Sequence, residues 1–227
     1  MEDWVGIGKP YFFRSSDLIG FNSMHNLLDI PFTLLAHCNI LINDTMLVIT
    51  GGAHENPDPD LRLYHPTNQS YFYNKVKNIW IPGPPLKIKR MNHGCGLIRC
   101  GEKQFLMVTG GVTSSKNNQD IHELVDSVEF LHLDTLEWYW QMVPRLSLPS
   151  PLKDHSLVTT NDGNVYVIGG FLSDGRATNR ILKWVPKDSL VNPGRFIEIS
   201  TKLKIPRARH VALPITYAFV KEVCVHD

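Results

Sequence analysis

The chain has 227 residues, 43% hydrophobic and 20% charged, with a formal net charge of +1, the balance of a globular domain able to bury a core. A near-neutral chain without a block of like charges lacks the electrostatic footprint of a nucleic-acid binder, and no apolar run reaches the roughly 18 residues of a membrane span. The N-terminus MEDWVGIGKPYFF carries acids where a signal peptide is basic, so a cytoplasmic chain is expected, or an extracellular one if an upstream signal has been lost.

Residues 1–36 follow no clear pattern, and NSMHNLLD within them is the best helical stretch of the chain. From His37 onwards the sequence repeats. TMLVITGG ends at Gly52, QFLMVTGG at Gly111 and NVYVIGG at Gly170, so that Gly51, Gly110 and Gly169 stand 59 residues apart. His37, His93 and His155 each precede a glycine pair, and His210 opens a further unit. Downstream, Tyr73-Asn74 precedes Trp80 and Leu133-Asp134 precedes Trp140, while the third unit offers Trp184 and then Phe196. The second unit reads as four short strands: HGCGLIRC, QFLMVTGG, SVEFLHLD and LEWYWQMV.

A four-stranded unit of this size cannot cover both of its own faces. Stacking such units radially around an axis solves that problem, and the result is a β-propeller. The glycine pairs then sit at the end of the second strand, where the backbone needs positive φ or a close approach that a Cβ would block. The expected fold is all-β, with a partial N-terminal blade or extension at 1–36, blades at 37–92, 93–154 and 155–209, and an incomplete blade at 210–227. The segments 53–70, 112–127 and 171–180, joining second to third strands, read as polar loops, with IHELVDSV forming a helical turn. Glu55, Asp58, Asp60, Asp120, Glu123 and Asp126 make the first two acidic.

The loops joining one unit to the next are basic and rich in proline: PGPPLKIKRMN, VPRLSLPSPLKD and TKLKIPRAR. Arg90, Lys153 and Arg207 recur once per unit and are expected to tie neighbouring blades together. Lys87, Lys89, Lys202 and Arg209 recur less strictly and are the candidate partner-binding residues, suited to an acidic or phosphorylated segment. Cys38, Cys95, Cys100 and Cys224 fit no zinc spacing and are too few for a disulfide framework. One histidine per blade points to loop anchoring rather than to a metal site. No nucleophile, phosphate-cradle or dinucleotide motif occurs, so no catalytic, cofactor-binding or metal residue is assigned.

The pattern Gly51-Gly52, Tyr73-Asn74, Trp80, Arg90 and His93 resembles the kelch repeat family. It recurs as Gly110-Gly111, Leu133-Asp134, Trp140, Lys153 and His155, and again as Gly169-Gly170, Trp184, Arg207 and His210. The resemblance implies a kelch-type propeller, here three blades with partial ones at both termini, acting as a non-catalytic protein–protein interaction module. Members of the family serve as the substrate-recognition part of ubiquitin-ligase adaptors or as actin-associated scaffolds. The different-class alternative is an enzyme on the same propeller, such as a galactose oxidase-like copper oxidase. A protein or peptide partner of acidic character is expected, with no nucleic acid, membrane or cofactor.

Overall fold

The structure is a computed structural model that describes residues 34–55, 64–100, 103–117, 121–135, 137–186 and 194–215. The helical stretch NSMHNLLD, the extension before Leu34, Asp58, Asp60, Asp120 and the chain after Ile215 lie outside these residues. Among the described residues every regular element is a strand, and no helix is long and apolar enough to cross a membrane.

Three four-stranded antiparallel sheets carry the fold. The first contains β1 (Cys38–Asn43), β2 (Met46–Thr50), β5 (Ser70–Asn74) and β6 (Ile79–Pro82). The second contains β7 (Gly94–Cys100), β8 (Lys103–Thr109), β11 (Ser127–His132) and β12 (Trp140–Ser147). The third contains β13 (Ser156–Thr159), β14 (Val165–Ile168), β15 (Ile181–Val185) and β16 (Arg195–Glu198). In each, spatial order follows chain order. The first strands gather at the centre, with β7 lying against β1 on one side and β13 on the other. The sheets are therefore propeller blades, and the chain is an all-β arc of them.

The blades bury their faces against one another. The first seam is filled by Ile40, Val48, Phe72 and Leu86 from one side and Leu106, Val108, Leu131 and Trp140 from the other. The second seam joins Ile98, Met107, Phe130 and Val143 to Val165, Val167, Leu182 and Phe196. Strand β8 lies between the two seams and is covered on both faces, which is why it reads as a continuous aliphatic run rather than an alternating one.

The seams explain the doubled glycines. Gly51, Gly110 and Gly169 have φ of 55°, 60° and 61°, and Gly52, Gly111 and Gly170 lie between 100° and 103°. A Cβ on Gly51 would stand 2.4 Å from the Arg90 carbonyl oxygen and 2.7 Å from the His93 ring. One on Gly111 would stand 2.7 Å from the Met91 carbonyl oxygen and 2.8 Å from the His93 Cβ. The first glycine of each pair clears the histidine loop of the following blade, and the second clears the histidine loop of its own blade. Both must lack a side chain.

Two expectations are corrected. The segments after the first two glycine pairs are hairpin ribbons rather than loops: β3 (Ala53–Glu55) with β4 (Tyr64–Pro66), and β9 (Val112–Ser114) with β10 (His122–Leu124). IHELVDSV contains β10 and enters β11 instead of forming a helical turn. The His122 Nε2–H donates to the Tyr64 carbonyl at 2.9 Å, joining the two ribbons across the first seam. The cysteine reading also changes, because Cys38 of β1 and Cys95 of β7 form a disulfide with a Cα–Cα distance of 6.0 Å. This bond joins the innermost strands of two blades. Such bonds persist in oxidising compartments. Non-reducing peptide mapping, with thiols blocked at lysis, is expected to recover Cys38 and Cys95 in one linked peptide pair; two alkylated cysteines would instead mark a reducing compartment.

Candidate functional site

The loop that leads into each blade rises on the same face as the ribbons. Leu35 bridges to Ala53, Met91 to Val112 and Lys153 to Phe171. The next residue in each loop is left-handed: Ala36, Asn92, Asp154 and, one unit on, Arg209 have φ between 52° and 55°. Their backbones are strung together around the centre. The Asn92 N–H donates to the Ala36 carbonyl at 2.9 Å, the Asp154 N–H to that of Asn92 at 2.9 Å, and the Arg209 N–H to that of Asp154 at 2.8 Å. The Asn92 Nδ2–H adds a bond to the Asp154 carboxylate at 2.7 Å. Asn and Asp adopt this conformation more readily than most residues, which suits both positions.

Behind this belt lie the repeat histidines. His93 Nε2 meets Thr50 Oγ1 and His155 Nε2 meets Thr109 Oγ1, both at 2.9 Å. Burial holds the His155 imidazole down to about 4, with the Thr109 hydrogen bond opposing it and His210 and Arg90 adding to it. His93 is lowered well below its ordinary value, chiefly by burial and then by Arg90. Both rings are therefore neutral near pH 7 and anchor loops. Ile168 stands where Thr50 and Thr109 stand in the other units, so among the described residues His210 meets no such hydroxyl. Among the described residues no three His, Cys, Asp or Glu side chains are grouped to hold a metal ion.

Arg90 is fully buried in the first seam. It donates to the Gly110 carbonyl at 2.6 Å, to Ser127 Oγ at 3.0 Å and to Glu129 Oε1 at 2.8 Å. Glu129, equally buried, also accepts from the backbone N–H groups of Lys87 and Ile88 at 2.6 and 3.1 Å. The residue equivalent to Arg90 in the second unit is Leu152 rather than Lys153. The Gly52, Gly111 and Gly170 N–H groups donate to the carbonyls of Arg90, Leu152 and Arg207 in turn. The Gly110 and Gly169 N–H groups donate to the Ser127 and Arg180 carbonyls, and two residues on Leu182 replaces Glu129; both leucines are buried in the apolar core of the second seam. One seam is thus keyed by an ion pair and the next by a leucine pair. Strand registers also place Leu131, not Leu133, opposite Trp140, and put Phe196 in the tryptophan position of the third blade.

The four candidate cations part company. Lys87 and Lys89 are exposed, and neither forms an ion pair among the described residues. Lys202 reaches Glu198 at 3.4 Å, a carboxylate already held by Arg180 at 2.7 Å. Arg209, 74% exposed, lies 3.7 Å from Asp154 and over the Phe171 ring. The structure brings Lys87 and Lys89 together on one loop; Lys202 and Arg209 belong to the last loop, beyond the third blade. Glu129 and the belt residues Ala36, Asn92 and Asp154 were not singled out from the sequence; Arg209 was, as a surface cation rather than a rung of the belt. An acid inside the apolar run SVEFL was the available signal for the first.

Kelch-like protein 41 of Rattus norvegicus is 28% identical over 150 residues, which is 64% of this chain and 21% of that protein. The chain is thus similar to a kelch-like protein over most of its length. No family model matches the chain. The matched stretch spans about a fifth of the length of that relative.

Proposed function

We infer that the chain is a non-catalytic protein-interaction module whose loop face receives an acidic or phosphorylated segment of a partner protein. It would act as the recognition part of a ubiquitin-ligase adaptor or as an actin-associated scaffold. The observation that carries this reading is the pair Lys87 and Lys89. The loop bearing them starts PGPP and is pinned by its own amides to the buried Glu129. Two ammonium groups that pair with no acid among the described residues are thus held out on a fixed backbone, so little ordering entropy is lost when a carboxylate or phosphate arrives. Lys202 and Arg209 contribute less because each already leans on an acid of its own.

The Lys87→Glu/Lys89→Glu variant is expected to weaken binding of a glutamate-rich peptide about ten-fold or more at low ionic strength. Its thermal midpoint should stay at the wild-type value, since exposed charges add little to stability. Fluorescence polarisation reads the affinity and calorimetry the midpoint. Unchanged affinity in the double variant would remove the reading.

A further inference from the structure

The two seams differ at their outer rims. In the second, Val143 and Leu146 of β12 are buried with Phe196 of β16 in one apolar cluster, and the two strands touch. In the first, β6 makes no comparable approach to β12. There Ile79 and Ile81 are 40% and 41% exposed, and Trp138 and Met142 are 37% and 41% exposed. Strand register, with one ring contact for Trp138, places these four side chains on facing walls. Ile81 pairs with Phe72, whose ring lies 4.8 Å from that of Trp138, and Ile79 is two residues along the same face. Met142 pairs with Glu129 and Trp140 with Leu131. Glu129 is the residue that reaches Arg90, so this wall of the second blade is turned towards the first. Buried Phe72 and Trp140 form the floor.

The loop-side end of this cleft is basic. The Lys87 and Ile88 amides rest on the Glu129 carboxylate, directly across from Met142. Lys87 and Lys89 therefore stand at its mouth. We propose that the cleft between β6 and β12 is a docking groove for a partner-protein segment presenting a large apolar side chain beside acidic residues. The apolar anchor displaces water from Ile79, Ile81, Trp138 and Met142, and the neighbouring carboxylates meet the lysines. A second copy of this chain suits the groove poorly. Its exposed apolar stretch, Val211, Leu213 and Ile215, follows Arg207 and Arg209 and would bring cations to cations. The inference rests on the partner being a protein, as above, but moves the anchoring contact from the loop face to the rim.

The test uses the whole chain with p-benzoylphenylalanine in place of Ile81. The probe is the labelled synthetic peptide Glu-Glu-Leu-Phe-Asp-Glu, with Lys-Lys-Leu-Phe-Lys-Lys as its control. The expected result is saturable binding of the acidic peptide alone and its cross-linking at position 81. In otherwise wild-type protein, Met142→Glu and Ile81→Glu should each weaken that binding about ten-fold or more without shifting the thermal midpoint. Binding that survives Met142→Glu and Ile81→Glu but is lost in Lys87→Glu/Lys89→Glu would overturn the groove and leave the loop-face reading standing. Equal binding of both peptides, or of neither, would also overturn it. So would a cross-link to a second copy, or to residues 1–33 of the same chain.

Discussion

Glu129→Leu is expected to destabilise the protein by about 3–5 kcal/mol, because it strands a buried guanidinium and two backbone amides. Arg90→Leu should cost less, about 3 kcal/mol, since the abandoned carboxylate keeps its bonds from the Lys87 and Ile88 amides. The double variant recreates the chemistry that Leu152 and Leu182 already provide one seam further on. It should be more stable than Glu129→Leu alone, with a residual loss of about 1–3 kcal/mol for the two unanswered amides. Urea unfolding of the three variants measures these differences and their coupling. Additive losses would mean that the pair is not the key to the seam.

Acidification should loosen the loops held by the buried histidines. His155 carries a proton only below about pH 4 when folded, whereas an unfolded histidine takes one up near 6.5. Between those limits the unfolded chain binds a proton that the folded chain refuses, so stability falls as pH falls. The loss reaches about 3 kcal/mol for His155, and below about pH 4 its contribution to the slope vanishes. His93 adds to the loss with the same sign, because burial lowers it too. Unfolding free energies across this window should show the slope, and His155→Gln should flatten it. A stability that rises on acidification would contradict the buried neutral rings.

The strands, the blade period and the structural use of the glycines were legible because local pattern and long-range packing ask for the same residues. A strand sandwiched between blades must be aliphatic throughout, and it must end where two histidine loops press on the backbone. The ribbons were not legible. AHE and YHP, or VTS and HEL, are polar enough to pass for loops, and only pairing such as His54 with His65 makes them strands. Leu152 was hidden by Lys153, whose charge imitates Arg90 while its backbone occupies the next position. The disulfide left a usable trace: Cys38 and Cys95 follow their repeat histidines by one and two residues, which puts both on innermost strands of adjacent blades. The rim cleft had none, since it depends on how far two outer strands diverge.

The belt of left-handed residues is built from main-chain atoms, so it tolerates Ala, Asn, Asp and Arg at its successive rungs. Its currency is spacing rather than side-chain identity. A genetic duplication or loss of one complete module would hand each amide an equivalent carbonyl, whereas inserting a single amino acid just before a loop histidine would shift a rung out of phase. Evolution can therefore lengthen or shorten such an arc in whole modules while leaving the axis intact.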